Sequence, residues 1–430
     1  MTLMGAGAPV LRAALRRRGG RGKEDPSRIG ERMGIPGRSR PPGKLVWVHA
    51  ASVGEAQSML ALVAALLEKT SANILVTTGT VTSAQMMEKR LPSRALHQFY
   101  PVDHPQWTGA FLDYWRPSLA LWTESELWPS MLSGIKKRGI PAILVNARLS
   151  DRTFRRWKIV PLDAEKLLSA FGLILTQTDD DAARFKMLGA DNAVTAGNLK
   201  YSAAPLPADE EDLKTLRQAV TGRPLWLYAS THDGEEALAC RLHAKLRKEL
   251  PTLLTLIVPR HPERGEAIRT LCENAGLRAR LRGEKHDLPQ TGDDIYIADT
   301  LGELGLFYRL CPLACIGRSF SRDGGGGHNP LEAAQLECAA LYGPQVQNLQ
   351  AIYDDMAHAG AALRVAEEAE FLKQLEILLT HDADLQALRQ KGFGYAQEKA
   401  RVLDIVMSAL QPWLEETGLA DKNGMKKACA

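Results

Sequence analysis

Apolar residues along this chain fall into short runs separated by amphipathic stretches. The runs at 45–49, 73–77, 96–100, 118–122, 141–145, 172–175 and 193–196 are too short for helices and predict strands buried on both faces. Between most of them, 55–69, 82–90, 105–115, 126–138 and 178–188 carry apolar residues at helical spacing, as with Leu60, Val63, Leu66 and Leu67. Strand and helix in alternation mean a parallel sheet covered on both faces. The stretch 198–207, with Pro205, Pro207 and an acidic run behind them, breaks the rhythm and reads as a linker. The rhythm restarts with strands expected at 225–229, 253–258, 294–298, 313–316 and 339–342. Helices are expected at 234–249, 263–275, 301–310, 330–338 and 346–359, and 367–414 reads as helical throughout. The expectation is an α/β protein of two Rossmann-like parallel-sheet domains facing across a cleft. One domain is set at 44–205 and the other at 206–430 with the C-terminal helices; ligands would sit at the carboxyl ends of strands.

Charge adds a third segment. Residues 1–44 hold eleven Lys/Arg against three acids, a net +8 in a chain whose total is +4, so the rest is net −4. A basic arm at 1–43 points to an anionic partner. With 6% aromatics and no basic, aromatic-studded motif, an anionic membrane surface is favoured over nucleic acid. No run reaches the ~18 apolar residues that span a bilayer. The arm either lies on a membrane surface or is unstructured, the former making the protein peripheral or weakly anchored. The six cysteines form no C-x-x-C pair and have no histidine at ligand spacing, so reduced thiols and no metal centre are expected.

Candidate chemistry gathers where strands end. Glu55 follows the strand Leu45–Val48 and the small residues Ala50, Ala51, Ser52 and Gly54, on the first turn of a helix, where free N–H groups favour a carboxylate. By itself it reads first as a first-turn acid of purely structural use. Glu124 and Glu126 end another strand, either of them able to face the ligand, and Lys200 stands just before the linker. In the second half, Ser230 and Thr231 follow a strand and serve either ligand or helix cap. Arg260, in a loop stiffened by Pro259 and Pro262 beside His261, offers a planar fork suited to phosphate. Leu301, Gly302 and Glu303 open a predicted helix whose free N–H groups suit a base or phosphate. The sharpest stretch is Gly324 to Glu332. Its glycines, Gly326 and Gly327 among them, let backbone approach a phosphate, and His328, Asn329, Pro330, Leu331 and Glu332 lead into a helix. Asn329 is expected as its N-cap and Pro330 at its first position. Glu332 is either the acid of a capping box or a ligand for a ribose diol.

Taken together, HAASVGE (from His49), TESELWP (from Thr123), NARLS (from Asn146), GNLK (from Gly197), STHDGEE, PRHPER, DTLGEL and GGHNPLE resemble the Kdo transferases of Gram-negative bacteria, which add 3-deoxy-D-manno-octulosonic acid (Kdo) to lipid A. The resemblance implies a GT-B fold, an acceptor domain followed by a CMP-Kdo domain, and inverting transfer to a lipid A precursor (lipid IVA) without metal or other cofactor. It implies Glu55 as general base, with Glu124 and Lys200 assisting the transition state. Ser52, Ser230, Thr231, Arg260, His261, Leu301–Glu303 and Gly326–Glu332 are implied around CMP-Kdo. Departures are a short, diluted apolar N-terminus, Ser130 where the family has Asn, and a charged loop from Arg318 to Asp323. Two other readings fit the same pattern: a GT-B nucleotide-sugar 2-epimerase and a non-catalytic lipid A-binding protein.

Overall fold

The computed structural model describes residues 7–124, 126–202, 205–283 and 285–420. They form two compact units, Met1–Ala203 with Lys399–Ala430, and Ala204–Glu398.

In the first unit, β1 (Leu45–His49), β2 (Asn73–Thr78), β3 (Ala95–Phe99), β4 (Leu119–Thr123), β5 (Ala142–Ala147), β6 (Leu173–Thr176) and β7 (Ala193–Thr195) build one parallel sheet in the order β3-β2-β1-β4-β5-β6-β7. Side chains alternate across it. Val46 and Val48 join a core with Met59, Leu62 and Leu66 of the helix Val53–Lys69, while Leu45 and Trp47 join Phe111, Trp115 and Trp122 on the other face. Both faces are therefore dry, as the unbroken apolar runs require. The order reverses between β1 and β4, which leaves a crevice at their carboxyl ends.

The second unit repeats the plan with β8 (Leu225–Thr231), β9 (Leu254–Pro259), β10 (Ala279–Leu281), β11 (Ile295–Ile297), β12 (Leu313–Ile316), β13 (Ala339–Tyr342) and β14 (Leu363–Arg364). The order is β10-β11-β9-β8-β12-β13-β14, again all parallel, with its reversal between β8 and β12. Trp226, Tyr228, Ile257 and Cys315 meet Phe371 and Leu375 of the helix Glu368–Thr380 in its core.

The last helix differs from expectation. Val402–Glu416 packs on the first unit and not on the second: Val402, Val406, Leu410 and Leu414 belong to the core under β1 and β2. Gly172 and Gly197 make room for it. A Cβ on Gly172 would lie 2.1 Å from the Trp413 ring, and one on Gly197 2.6 Å from Val402. The assignment of all of 206–430 to one domain therefore differs from the structure, in which the described residues from 399 to 420 belong to the first unit.

The basic arm also differs. Ala8–Gly19 is a helix, and much of the arm after it is bound to the first unit. Arg28 pairs with Glu31 and Glu88, Glu31 accepts the Phe99 N–H at 2.7 Å, and Arg40 donates to the Trp115 carbonyl at 2.7 Å. Those guanidiniums are used within the fold, while Arg12, Arg16 and Arg17 stay exposed. Three helices, Asp151–Trp157, Pro161–Leu168 and Glu210–Ala219, and the short edge strands β10 and β14 were not foreseen from the sequence.

Candidate functional site

Glu55 is a helix-cap acid at the carboxyl end of β1. Ser52 is the N-cap; its oxygen accepts the Glu55 N–H at 3.3 Å and its hydroxyl donates back to Glu55 Oε1 at 2.8 Å. The other oxygen, Oε2, accepts from the Ala51 N–H at 2.9 Å and the Thr123 hydroxyl at 3.0 Å. Thr123 ends β4, so the carboxylate lies at the crossover of the sheet and is 9% exposed. Ser52 thus serves the cap and fixes Glu55.

Glu124, next in the chain, takes a left-handed backbone (φ 53°), which turns the chain as β4 ends. Lys200 Nζ donates to it at 3.3 Å from the short turn Leu199–Ser202. That turn is held by Asn146, whose side-chain oxygen accepts the Leu199 N–H at 2.9 Å while its own φ is 55°. Asn146 opens the NARLS motif, yet nothing in the sequence linked it to Lys200; an asparagine at a strand end suited to φ > 0 was the available signal. Glu126 accepts from Trp128 Nε1 at 2.7 Å, and burial, with the charges of Glu55 and Glu124 behind it, raises its carboxyl above the usual range. Glu124 carries the ion pair with Lys200, and Glu126 stands within reach of the charges of Glu55 and Glu124. Ser125 lies outside the described residues.

In the second unit the sequence candidates divide. Thr231 is fully buried and donates to Glu236 at 2.8 Å. Neither it nor Ser230 caps the next helix, where Gly234 takes that position. Ser230 has φ 56°, and Gly317 packs against its carbonyl so closely that a Cβ would come within 2.3 Å. Arg260 and His261 are exposed beyond β9. Leu301 is 81% exposed and Gly302 open, but the helix starts at Leu304 and Glu303 is bound to Arg282 through Nε and Nη2, both at 2.8 Å. Asp212, His286 and Glu303 offer atoms within 4.8 Å of one another, a spacing fit for a metal; the buried Arg282 guanidinium occupies that position instead.

The glycine loop is closed on itself. The N–H groups of Gly325, Gly326, Gly327 and His328 donate to Asp323 and to the carbonyls of Gln345, Arg318 and Gly317. Its glycines are required by φ values of 97°, 68°, 125° and 68° and by the nearness of Gln345, Asn348 and Tyr353. The backbone expected to approach a phosphate thus has these four amides already satisfied within the protein. Asn329 accepts the Leu331 N–H at 3.2 Å, but the helix is only Leu331–Ala334, Pro330 is at its cap, and Pro330 and Leu331 are buried. Glu332 is half-buried.

What does converge at the β8/β12 crossover is a set of side chains. His232 Nδ1 lies 2.8 Å from Asp323 Oδ2, and His232 Nε2 lies 3.0 Å from His328 Nε2, with the His261 ring 6.0 Å off. Burial lowers His232 below its ordinary value against the pull of Asp323, and lowers His328 to about 4, helped by His232, Arg260 and Arg318. Glu235, fully buried, ties the two loops together by accepting N–H groups of His232, Arg318, Ser319 and Phe320 at 2.8–3.0 Å. Neither His232 nor Glu235 was singled out from the sequence, because a histidine inside STHDGEE carries no local mark of its partner ninety residues on.

Comparison with known proteins gives the family and the fold. Residues 27–203 match the family model described as 3-deoxy-D-manno-octulosonic-acid transferase (kdotransferase). The chain is similar to 3-deoxy-D-manno-octulosonic acid transferases of Rickettsia bellii (34% identity, 89% of this chain and 91% of that one) and Haemophilus influenzae (30%, 90% and 92%). Among solved structures, UDP-GlcNAc 2-epimerase of Neisseria meningitidis (TM-score 0.55, 14% identity, 86% and 100% covered) and MurG of Acinetobacter baumannii (0.53, 14%, 86% and 100%) share the fold. The architecture is GT-B, and the chain belongs to the Kdo transferases, glycosyltransferases of lipopolysaccharide biosynthesis.

Proposed function

We propose that this enzyme moves Kdo from CMP-Kdo to a lipid A precursor such as lipid IVA, with inversion, at an anionic membrane surface. The observation that carries the reading is the Glu55 carboxylate, fixed by three donors at the crossover of the first sheet beside the Glu124–Lys200 pair. An acceptor hydroxyl attacks the anomeric carbon, the bond to the phosphate oxygen breaks, and Glu55 takes the hydroxyl proton. Lys200, neutralised in part by Glu124, supplies positive charge near the sugar carboxylate of the donor. Cytidylate leaves as a phosphate anion and needs little protonation; within the second unit Arg260 offers an exposed guanidinium suited to a phosphate.

The membrane reading rests on the elbow between Asp151–Trp157 and Pro161–Leu168. Ile159 and Leu162 are each 79% exposed, with Val160 and Pro161 exposed between them and Arg152, Arg155, Arg156 and Lys158 around them. An apolar tip ringed by cations matches a bilayer with anionic headgroups. No helix among the described residues is long and apolar enough to cross a membrane.

Incubation with CMP-Kdo and detergent-dispersed lipid IVA, followed by mass spectrometry of the lipid, tests the reaction. Addition of Kdo is expected; an unmodified lipid would reject it. Epimerisation of a UDP-sugar in the same preparation would move the function to the 2-epimerases.

A further inference from the structure

The chain Asp323–His232–His328 allows its proton positions to be assigned. Asp323 is lowered to about 2, first by the Ser321 hydroxyl and then by the Gly325 N–H and His232, so at neutral pH it only accepts. The Nδ1 of His232 facing it therefore carries a proton. A neutral His232 has no second proton, so its Nε2 accepts, and the 3.0 Å contact requires the proton to sit on Nε2 of His328. That leaves Nδ1 of His328 as a bare lone pair at the end of the chain, with no partner among the described residues.

We propose that this chain is a proton-coupled clamp for the phosphate of the nucleotide: as the phosphate arrives, Nδ1 of His328 takes one proton from solvent and donates it as a hydrogen bond to a phosphate oxygen. The proposal rests on the second unit holding the cytidine nucleotide. No bond of the ligand changes in this step. The charge of the chain goes from −1, on Asp323, to zero, and Asp323 offsets the positive charge that His328 acquires. In the free protein burial, then His232 and the guanidiniums of Arg260 and Arg318, oppose that charge on His328; burial, Arg318 and His261 oppose it on His232, and Asp323 favours it on both. A phosphate anion neutralises the guanidiniums and supplies the missing counter-charge, which reverses the balance. The same clamp suits departure. When the donor's phosphodiester breaks, its phosphate gains a negative charge, and an imidazolium already in place meets it. His328 is the ligand-touching group; His232 and Asp323 are positioning residues acting through it.

The test is calorimetric titration of CMP into the full chain at about pH 7.5, where CMP is already a dianion because its second phosphate pKa is near 6. Buffers of different ionisation enthalpy report the protons taken up. Starting from about 4 and raised by roughly 1–3 units beside the phosphate, His328 should take up a measurable fraction of a proton per CMP, with affinity falling as pH rises. In His328→Gln, CMP should bind more weakly with no uptake and a flat pH profile. In Asp323→Asn, at a side chain only partly enclosed, uptake should shrink while binding persists, which keeps the test open if the histidine variant misfolds. CMP binding without proton uptake in the wild type, or uptake surviving in His328→Gln, would overturn the clamp. If the wild type does not bind CMP at all, the nucleotide assignment itself fails and the clamp with it.

Discussion

A carboxylate that closes a helix cap is ordinarily accounted for by the cap alone, and Glu55 has that role in full. What sets it apart is the third donor, the Thr123 hydroxyl, which reaches it from another strand and contributes nothing to the helix end. Glu55→Gln keeps an acceptor for the cap and removes the base. Transfer should fall by roughly 10²–10⁴, the usual worth of a general base, with the unfolding temperature close to wild type. Near-normal transfer would show that another group takes the proton. Asn146→Ala should act through Lys200: a buried N–H at Leu199 loses its acceptor, at a cost of about 1–3 kcal/mol. Its transfer rate should fall toward that of Lys200→Ala, with donor affinity little changed. The histidines set the acid limit of stability. Burial lowers His49 and His97 to about 3 and His243 and His328 to about 4. Below pH ~6.5 the unfolded chain binds protons that the native one refuses, so stability falls as pH drops toward those values. Each histidine adds up to about 1.4 kcal/mol per pH unit in that window. Thermal unfolding across pH 7.5 to 5 measures it, and a flat profile would contradict the buried neutral imidazoles.

Elements were legible in the sequence where one signal dominated. β1, β4 and β12 are unbroken apolar runs and had no competing reading, and the helix Pro105–Trp115 was bounded by proline and a clear stripe. The missed elements lacked that signal. The helix Asp151–Trp157 has no fully buried residue, and β10 and β14 pair on one side only at sheet edges. The site was legible as a list of strand ends but not as contacts. Thr231 and Ser230 are neighbours in the chain, yet only the fold shows that one is sealed under Glu236 while the other turns with φ 56°. The glycine loop misled because small residues signal close approach without saying to what; here the neighbour is the protein's own segment at Gln345 to Asn348. Gly317→Ala tests the same logic at the β8/β12 crossover. With Ser230 backbone 2.3 Å from the added carbon, a loss of more than about 2 kcal/mol is expected by denaturant unfolding.

At the scale of the whole molecule, the proposed membrane attachment is tested at the exposed elbow Ile159–Leu162. Ile159→Ser with Leu162→Ser should cut binding to vesicles containing phosphatidylglycerol at least tenfold, measured by flotation. Activity on detergent-dispersed acceptor should stay near wild type, because both side chains are mostly exposed. Binding unchanged in the variant would place attachment elsewhere, with the exposed face of Ala8–Gly19 the next segment to test. Salt should weaken the wild-type interaction through the four neighbouring cations.

The returning helix Val402–Glu416 bears on synthesis as much as on stability. Its side chains complete the wall beneath β1 and β2, so some two hundred residues of a different unit must leave the ribosome before the earliest-made sheet can seal that face. Order of translation and order of completion are thus reversed: the unit begun first is finished last, after the nested one. Nascent chains arrested before residue 402 should show the second sheet protease-resistant and the first still open to cleavage.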